Sequence, residues 1–386
     1  MGVRIIVVGG GIGGLTTALA LVRAGLDVRV VERAAGFGEI GAGVQLGPNA
    51  TRVLDSLGLG EALRDTAVEP VATRFLRWAD DSVLTEWPLA GQVRARFGAP
   101  YYTLYRPDLI TALAAAIPAG TVSFGRQVAA VEDGRTVRFA DGATETADVV
   151  VGADGIHSAV RTSTLPETAP RFSGMCAYRA LLPNDTEPVV RIWLGPGRHL
   201  VAYPVGRGAR LLNVVCVAPA DDWPDESWTA PGDVTRLREH FDGWSPEVRK
   251  ILDRVTEPVY RWGLHDREPL PRWSTPTTTL VGDACHPMLP FLAQGAAQAI
   301  EDAAVLAASL ATAGPAEALQ RYEARRLDRT ARIQRQSWGN NVSYHLPDGP
   351  EQARRDEALA GGAIMSLDAL SWLFGHDVRV GDRPGV

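Results

Sequence analysis

Val3-Arg-Ile-Ile-Val-Val-Gly-Gly-Gly-Ile-Gly-Gly14 is the stretch with the clearest structural signal in this sequence. Its first half is a continuous apolar run, which is typical of a central strand in a parallel sheet. Its second half places Gly9, Gly11 and Gly14 in the spacing Gly-x-Gly-x-x-Gly, with Gly13 beside the last of them. Glycines at this spacing allow a tight turn and the close approach of a pyrophosphate to a helix N-terminus. The stretch therefore predicts the start of a dinucleotide-binding α/β fold.

A second strand and an acid complete a β-α-β unit. Leu15 to Val22 carries apolar residues at helical spacing, and Gly25 ends that helix. Val28 to Val31 predicts the next strand, and Glu32 follows it directly. An acid about 20 residues beyond the glycines takes the ribose hydroxyls of a dinucleotide. A nicotinamide or a flavin dinucleotide satisfies this pattern equally, and Arg33 is either a solvated charge or a second contact to the adenosine ribose.

Composition excludes several classes of protein. The 386 residues are 46% hydrophobic, which is enough for a large core and two domains. The net charge is -6 and there is no basic block, so a nucleic-acid partner is not expected. Three cysteines far apart in sequence indicate a reduced, cytosolic protein rather than a disulfide framework. No apolar run reaches ~18 residues, so we expect neither a membrane span nor a membrane partner.

Two further strand ends carry an acid followed by a turn or a helix. Thr146 to Val151 runs into Gly152-Ala-Asp154-Gly155, and Thr278 to Val281 runs into Gly282-Asp283. Binding crevices of open α/β sheets lie at such carboxyl ends of strands. Beyond the second acid, a helix is predicted to begin near Gly295, where free backbone N–H groups and a positive dipole end suit an anion or an electron-rich ring oxygen.

Two other segments are candidates for ligand contact. The glycines between Glu39 and Ala50 predict backbone laid against a ligand, although a flexible loop is the alternative. Arg106 precedes Pro107, which fits the first position of a helix. Arg106 itself is either a solvated charge or a residue that reaches a ligand.

The remaining pattern predicts a second, β-rich domain and a helical tail. Val122 to Phe124, Ala130-Val131 and Val137 to Phe139 predict a β-meander with Asp-Gly turns. Ala369 to Phe374 predicts an apolar anchor for the tail. The predicted parts are a discontinuous α/β domain at 1–70, 101–170 and 275–345, an inserted antiparallel β-sheet substrate domain at 71–100 and 171–274, and a C-terminal helical segment at 346–386.

His199 and Tyr203 are candidate catalytic residues. They lie four positions apart, so on one strand their side chains share a face. Histidine is the usual general base near neutral pH, but a hydrogen-bonded structural histidine is the alternative. The sequence shows no His-Glu-x-x-His or other metal-ligand pattern, so no metal site is expected.

Three motifs now stand in order: Gly9 to Gly14 with Glu32, then Asp154-Gly155, then Gly282-Asp283 with Pro290. In this combination the sequence resembles the flavin-dependent aromatic hydroxylases, the single-component class A monooxygenases related to 4-hydroxybenzoate hydroxylase. The resemblance runs along nearly the whole chain. It is strongest to the branch of salicylate hydroxylases, 3-hydroxybenzoate 6-hydroxylases and 6-hydroxynicotinate 3-monooxygenases. It implies a Rossmann-like FAD-binding domain.

The resemblance also implies roles for individual residues. Glu32, with Arg33 beside it, would bind the adenosine ribose, and Arg106 would reach the FAD. Asp154 would touch both the FAD pyrophosphate and the reducing nicotinamide, whereas Asp283 would bind the ribityl hydroxyls.

Further cofactor contacts are implied at Gln45 and Val128. Pro290 would lie by the flavin ring, and the backbone of Ala293-Gln294-Gly295 would hold the pyrimidine edge of the ring. Many relatives have Gly-Gln-Gly where this chain has Leu292-Ala293-Gln294-Gly295. The helix start is kept, but the flavin contacts and the mobility of the flavin are expected to differ.

The function implied by the resemblance is aromatic hydroxylation. NADH or NADPH would visit transiently to reduce bound FAD, and O2 would then hydroxylate an electron-rich hydroxybenzoate, aminohydroxybenzoate or phenol through a flavin C4a-hydroperoxide. His199 and Tyr203 match a His/Tyr pair near the aromatic substrate, and a homodimer is the assembly considered. The alternatives are another flavoenzyme of the same fold, a halogenase or reductase, and a flavin-binding regulator without turnover.

Overall fold

The computed structural model describes residues 3–38, 42–166, 168–220 and 230–380. The beginning of the segment from Glu39 to Ala50 and the last six residues of the tail lie outside these ranges. The strands in chain order are β1 (Arg4–Val8), β2 (Asp27–Val31), β3 (Gly43–Leu46), β4 (Ala72–Arg77), β5 (Val83–Pro88), β6 (Tyr102–Tyr105), β7 (Val122–Ser123), β8 (Val128–Glu132), β9 (Thr136–Phe139), β10 (Thr144–Thr146), β11 (Val149–Gly152), β12 (Arg171–Pro183), β13 (Val189–Gly195), β14 (Arg198–Val205), β15 (Leu211–Pro219), β16 (Tyr260–Asp266) and β17 (Thr278–Leu280).

Helices alternate with the strands in the first half of the chain and dominate after β17. The helices in chain order are α1 (Ile12–Arg23), α2 (Pro48–Ser56), α3 (Gly60–Thr66), α4 (Gln92–Phe97), α5 (Arg106–Ala115), α6 (Ala159–Thr164), α7 (Val234–His240), α8 (Pro246–Asp253), α9 (Gly295–Leu310), α10 (Pro315–Ser343), α11 (Pro350–Ala360) and α12 (Ser371–Phe374). None of these helices is both long and apolar enough to cross a bilayer.

A five-stranded parallel sheet forms the centre of the first domain, in the order β17-β11-β1-β2-β7. The apolar run of β1 is buried from Ile5 to Val8, as expected for a strand covered on both faces. Helix α9 packs against α1, α2 and α10 beside this sheet. The predicted Rossmann-like α/β class is therefore confirmed.

One predicted strand pairs differently. Val122 to Phe124 does not belong to the meander, because β7 pairs in parallel with β2 and extends the main sheet. The meander contains only β8, β9 and β10. The Asp-Gly turns fix those two hairpins, whereas no such turn joins β7 to β8, and β7 instead satisfies the open backbone groups along the edge of β2.

The second sheet has seven strands, in the order β16-β12-β15-β14-β13-β4-β5. Its pairs are antiparallel, as predicted, with one exception: β13 and β4 run in parallel. The exception follows from chain order, because β4 and β13 belong to separate excursions of the chain and no hairpin joins them. A second apolar core, distinct from that of the parallel sheet, lies between this sheet and helices α7 and α8.

The C-terminal tail packs back onto the body of the protein. Leu370, Leu373 and Phe374 form a small apolar cluster with Trp87 and Leu292. The tail therefore lies against both the seven-stranded sheet and the turn that precedes α9.

Candidate active site

The turn after β1 has no room for a side chain at two of its glycines. Gly9 has a φ of +110°, and a Cβ there would lie 2.4 Å from the carbonyl oxygen of Ala153. A Cβ on Gly14 would lie 1.9 Å from the carbonyl oxygen of Gly9. Gly11, which precedes the first residue of α1, has nothing within 4 Å of the position that a Cβ would take. The N-terminus of α1 is therefore open to a ligand, as the sequence predicts.

Glu32 supports this turn through its carboxylate. Its two oxygens accept hydrogen bonds from the backbone N–H groups of Gly10 at 2.6 Å and Ala34 at 2.8 Å. The predicted ribose contact is compatible with this geometry, because a carboxylate has lone pairs left for ligand hydroxyls. Arg33 is exposed, and Val128 is buried at the start of β8.

Asp154 uses only one of its two carboxylate oxygens for hydrogen bonds within the described part of the chain. Its Oδ2 accepts from the N–H groups of Ala159 at 2.8 Å and Val160 at 3.3 Å, at the start of α6. Its Oδ1 is buried and has no hydrogen-bond partner in the described part of the chain. Burial also raises the pKa of this carboxyl group. Since buried polar atoms are rarely left unpaired, a donor from a bound ligand fits at Oδ1.

Helix α9 brings the glycine turn and the Asp283 segment together. A Cβ on Gly13 would lie 3.2 Å from the Cβ of Ala299, and a Cβ on Gly282 would lie 3.0 Å from the same atom. Small residues on all three segments thus allow the approach. The two motifs, which are about 270 residues apart in sequence, border one cleft.

Asp283 and Arg106 are close enough for each to influence the pKa of the other. Asp283 lies in the 3-10 turn after β17, and a Cβ on Gly295 would be 3.9 Å from its Oδ1. The carboxylate is open to solvent but surrounded by cleft walls, which raise its pKa, while His286 and Arg106 act in the opposite direction. Burial lowers the pKa of Arg106, against the influence of Asp283. The pair thus offers one anion and one cation to a polar ligand.

The turn before α9 presents its backbone to the cleft. Pro290 to Leu292 form a 3-10 turn, and Ala293 follows in the left-handed conformation with φ 52° and ψ 38°. The side chain of Gln294 points into the protein, where its Oε1 accepts from Asn49 Nδ2 at 3.1 Å. No side chain caps α9, so the first N–H groups of the helix are free for a ligand oxygen.

A mostly apolar cavity of about 580 Å³, including its open mouth, adjoins this turn. Its size is typical of small-molecule sites. One wall comes from the seven-stranded sheet, one from the turn before α9 and one from the C-terminal tail. The lining residues are Gln45, Thr73, Phe75, Trp87, Tyr101, Ile192, His199, Val201, Pro290, Phe291, Leu292, Ala293, Tyr344, Met365, Leu370, Leu373 and Phe374.

His199 is the titratable imidazole in this cavity wall. Its side chain is 3% exposed and lies between the rings of Phe291 and Tyr344, with centroid distances of 5.1 Å and 5.5 Å. Its Nδ1 is 2.7 Å from Nε2 of His345, a residue that the sequence did not indicate. Burial, assisted by His345, lowers the pKa of His199 well below its usual value. The imidazole is therefore neutral at neutral pH.

Tyr203 lies further along the same strand but outside the cavity lining. It is buried in a small cluster with Val190 and Val205. Burial raises its pKa to about 12, and Gln45 is hydrogen-bonded to it. Gln45 Oε1 also accepts from the hydroxyl of Tyr101 at 2.7 Å. Tyr203 is thus connected to the cavity lining by its hydrogen bond to Gln45, whereas His199 is itself a lining residue.

Two of the arginines near the sheet are unsuited to binding a substrate carboxylate in this cavity. Arg77 already pairs with Asp348 and Asp356, at 3.0 Å and 3.3 Å. Arg191 neighbours Ile192, which lines the cavity, so the alternation of a strand turns Arg191 to the other face.

Arg179 differs from both. The register places Val201 opposite Val215, and Val215 opposite Arg179, so the three share the face of the sheet that lines the cavity. The guanidinium stacks on Trp262 at 4.1 Å, and no carboxylate within the described ranges is among the groups that shift its pKa. Its Nε is buried without a hydrogen-bond partner, and burial lowers its pKa to about 10. An anionic ligand group would supply the missing counter-charge.

A buried charge network under α9 is the main feature that sequence reasoning missed. Arg326 of α10 is fully buried and pairs with Glu301 at 2.5 Å and with Asp302 at 2.7 Å. Asp302 Oδ2 also accepts from the backbone N–H of Gly282 at 2.9 Å and contacts His286 Nε2 at 2.6 Å. The network fixes the turn that carries Asp283. Its sequence signal is the Glu-Asp pair, which supplies the only charged side chains of α9.

Cys285, His286 and Asp302 place three potential metal-ligand atoms within 4.8 Å of one another. The guanidinium of Arg326 already neutralises Asp302, and the imidazole of His286 is engaged with the same carboxylate. A cation would have to compete with this arginine, so we assign the group a structural role.

Comparison with known proteins agrees with this geometry. Residues 2–337 match the family model described as FAD binding domain. This chain belongs to that family. It is 43% identical to the 3-amino-4-hydroxybenzoate 2-monooxygenase PtnB3 of Streptomyces platensis, over 98% of each chain. It is 37% identical to the 6-hydroxynicotinate 3-monooxygenase of Pseudomonas fluorescens, over 97% of this chain and 95% of that protein.

The fold has a close counterpart among solved structures. A salicylate hydroxylase in complex with substrate superposes with a TM-score of 0.82 and 27% identity, over 100% of this chain and 99% of the other. The resemblance to class A hydroxylases and the assignment as an FAD-dependent monooxygenase are thus confirmed. The roles of individual site residues stay predictions.

Proposed function

We propose that this protein hydroxylates an aromatic acid that carries a hydroxyl or amino group on its ring, with 3-amino-4-hydroxybenzoate as the first candidate. The observation that carries the proposal is a neutral, buried His199 in a cavity that adjoins the Pro290 to Ala293 turn. The names of the relatives support the substrate class. Each name contains a small aromatic acid with a ring hydroxyl, which is carried by a benzene ring in one case and by a pyridine ring in the other.

Bound FAD, reduced by NADH or NADPH, supplies the activation of O2. The residues of the chain would position the substrate, stabilise negative charge on the cofactor and exclude water. His199 would accept the proton of the ring hydroxyl, which makes the ring more nucleophilic. The apolar cavity walls would keep water from the reacting atoms. The free N–H groups at the start of α9 would stabilise negative charge on the reduced cofactor.

The cofactor contacts are proposed on the same basis. The open N-terminus of α1 and the carboxylate of Glu32 suit the pyrophosphate and the adenosine ribose. The unpaired Oδ1 of Asp154 suits a donor of the cofactor or the visiting nicotinamide, and Asp283 suits the ribityl hydroxyls. Gln45 suits the substrate side of the cavity as well as the cofactor.

The decisive experiment measures how far oxidation of the reduced nicotinamide is coupled to hydroxylation of a ring compound. The FAD-loaded protein is mixed with NADH or NADPH and with each of 3-amino-4-hydroxybenzoate, 6-hydroxynicotinate, 3-hydroxybenzoate and salicylate. We expect at least one compound to stimulate oxidation of the reduced nicotinamide, with a product heavier by one oxygen and little peroxide. Products that also lack the carboxylate would show decarboxylation. Oxidation that is not stimulated by any ring compound would contradict the proposal.

Location and assembly are proposed as well. The three cysteines are buried and unpaired, which supports a reducing compartment. A homodimer is the assembly that we considered, and light scattering of the purified protein tests it.

A further inference from the structure

Two hydrogen-bond donors in the cavity wall have no partner in the described part of the chain. They are the hydroxyl of Thr73 and the indole N–H of Trp87. Both residues belong to the cavity lining, and they are only 3% and 7% exposed. Buried polar atoms nearly always have a hydrogen-bond partner. Two that lack one in the same wall therefore indicate a polar group of a bound ligand.

The sheet places the two donors side by side. Thr73 of β4 lies directly opposite Trp87 of β5 in the antiparallel register. Directly opposite residues point to the same face of a sheet and have Cβ atoms about 4.5–5.5 Å apart. The ring of Trp87 also packs into the apolar cluster of the C-terminal tail, with 6.5 Å between its centroid and that of Phe374. One ligand group can therefore contact both donors.

The two donors determine which ligand group fits. An indole N–H can only donate, so the group must be an acceptor. The hydroxyl of Thr73 can donate a second hydrogen bond to it. A carboxylate has two acceptor oxygens, and hydrogen bonds from uncharged donors favour its ionised form. None of the lining residues within the described ranges carries a carboxylate, so a bound anion would meet no like charge there.

His199 lies too far from this pair to contact the same group. Phe75 of β4 and Val201 of β14 both pair with Ile192 of β13, which sets them level. Thr73 and His199 then lie two strands and four residues apart, on opposite sides of that row. At ~4.8 Å per strand and ~3.3 Å per residue, their Cα atoms are about 16 Å apart. Once both side chains and their hydrogen bonds are allowed for, this separation suits one aromatic ring with polar groups at opposite ends.

We propose that Thr73 and Trp87 bind the carboxylate of the aromatic substrate while His199 faces its ring hydroxyl. This assignment, which rests on the proposed function, names the substrate class more closely. It favours acids with the hydroxyl para to the carboxylate, such as 3-amino-4-hydroxybenzoate and 6-hydroxynicotinate. In salicylate the two groups are on adjacent ring carbons, so one of them would lack its partner.

Arg179 is the competing position for a carboxylate. It lies on β12, two strands from β14 on the side away from β4, and it does not line the cavity. Arg179 and Thr73 are thus four strand spacings apart, which is ~19 Å across the sheet. One carboxylate cannot contact both residues, so binding measurements separate the two assignments.

The test compares an acid with the same ring lacking the carboxylate. Titration calorimetry of the FAD-loaded protein measures Kd for 3-amino-4-hydroxybenzoate and for 2-aminophenol. Thr73→Val keeps the side-chain shape without the hydroxyl, and Trp87→Phe keeps an aromatic ring without the N–H. We expect each variant to raise the Kd of the acid about tenfold or more, and to leave the Kd of 2-aminophenol nearly unchanged. Unchanged affinity for the acid in both variants, or an acid-specific loss in Arg179→Ala alone, would overturn the assignment.

Thr85→Val and Trp338→Phe are the matched controls. Thr85 lies on β5 and Trp338 on α10, and neither lines the cavity. Both variants should leave the Kd of the two compounds unchanged. An acid-specific loss of the same size in the controls would show that the effect does not come from the two donors in the cavity wall, and would count against the assignment.

A measurement on the unchanged protein covers the case in which the variants do not fold. 4-Hydroxybenzoate and salicylate differ only in the position of the hydroxyl. We expect 4-hydroxybenzoate to bind about tenfold or more tightly, whereas equal affinities or tighter binding of salicylate would overturn the assignment. Binding does not require turnover. Acids that bind in the expected order but are not hydroxylated would contradict the proposed function and still support the carboxylate assignment.

Discussion

Ala293 adopts a backbone conformation that favours glycine. Its φ is 52°, and left-handed geometry costs an L-residue about 1–2 kcal/mol. Glycine at this position would remove that strain. It would also raise the conformational entropy of the unfolded chain, which lowers the stability of the folded state by about 0.4–1 kcal/mol. Ala293 is the position at which this chain departs from the Gly-Gln-Gly of many relatives. The positive φ explains why glycine is favoured there.

We therefore expect Ala293→Gly to leave the protein equally stable or up to ~1 kcal/mol more stable. The control is Ala304→Gly, the same change in the middle of α9, which should destabilise by about 1 kcal/mol. Denaturant unfolding of the two variants measures both effects. Equal losses at both positions would show that the conformation of Ala293 carries no strain.

Arg179 gives a prediction about substrate recognition. If it binds the substrate carboxylate, Arg179→Ala should raise KM for 3-amino-4-hydroxybenzoate about tenfold or more, since a hydrogen bond to a charged group contributes ~1.5–3 kcal/mol. KM for 2-aminophenol, which lacks the carboxylate, should change little. Steady-state kinetics of both compounds check this, with Arg191→Ala on the other face as control. An equal rise for both compounds would exclude a carboxylate-specific role.

At the scale of elements, the contact between α9 and α10 depends on buried charge. Removing one partner of a buried ion pair leaves an uncompensated charge and costs ~3–5 kcal/mol. We expect a loss of that size for Arg326→Ala, because Asp302 would lose its arginine partner and Glu301 would keep only Arg329. Arg321→Ala on the same helix, in an exposed pair with Glu317, should cost less than ~0.5 kcal/mol. The free energy of unfolding in urea separates the two.

The same network predicts how stability depends on pH. Burial by itself would raise the pKa of Glu301, but Arg326 and Arg329 lower it to about 2 from its usual 4.5. A lowered pKa in the folded state means that the contribution is complete above pH 4.5 and is lost as the pH falls towards 2. Unfolding measured between pH 7 and pH 3 should show this decline. Glu301→Gln should flatten it, and an equally steep decline in that variant would contradict the assignment.

At the scale of the whole molecule, the C-terminal tail forms part of the cavity lining. Phe374 packs against the rings of Trp87, Phe97 and Tyr101, with centroid distances of 6.5, 6.0 and 5.9 Å. Arg52 of α2 donates to the backbone carbonyl of Phe374 at 3.1 Å, which ties the tail to the first domain. One wall of the cavity thus comes from the far end of the chain.

We expect Phe374→Ala to keep bound FAD but to release more peroxide per reduced nicotinamide consumed, because water would enter the cavity. A stability loss of about 3 kcal/mol should accompany it. Val380→Ala, at a residue that is 51% exposed, is the control. Peroxide and product are measured together in one assay. Unchanged coupling in Phe374→Ala would show that the tail does not shield the reaction.

Much of this architecture was predictable because its signals are local. The apolar run of β1, the glycine turn and Glu32 each require only their own neighbours in sequence, and the structure confirms the Rossmann-like unit. The start of α9 at Gly295 was predicted correctly from apolar spacing. The pairing of β7 was not, because a two-residue strand has no pattern of its own and takes the partner whose edge is open.

Sequence by itself determined the fold class from local patterns, and the order of its three motifs carried the family resemblance that implied FAD and aromatic hydroxylation. Only the tertiary structure decided which residues line the cavity. His345 lies 146 residues from His199, and Arg326 lies 24 residues from Asp302, so their contacts arise from how helices pack on a sheet. A single histidine or a charged residue on a helix carries no local sign of its partner. Packing alone placed His199 beside His345 and brought Phe374 into the lining of the same cavity.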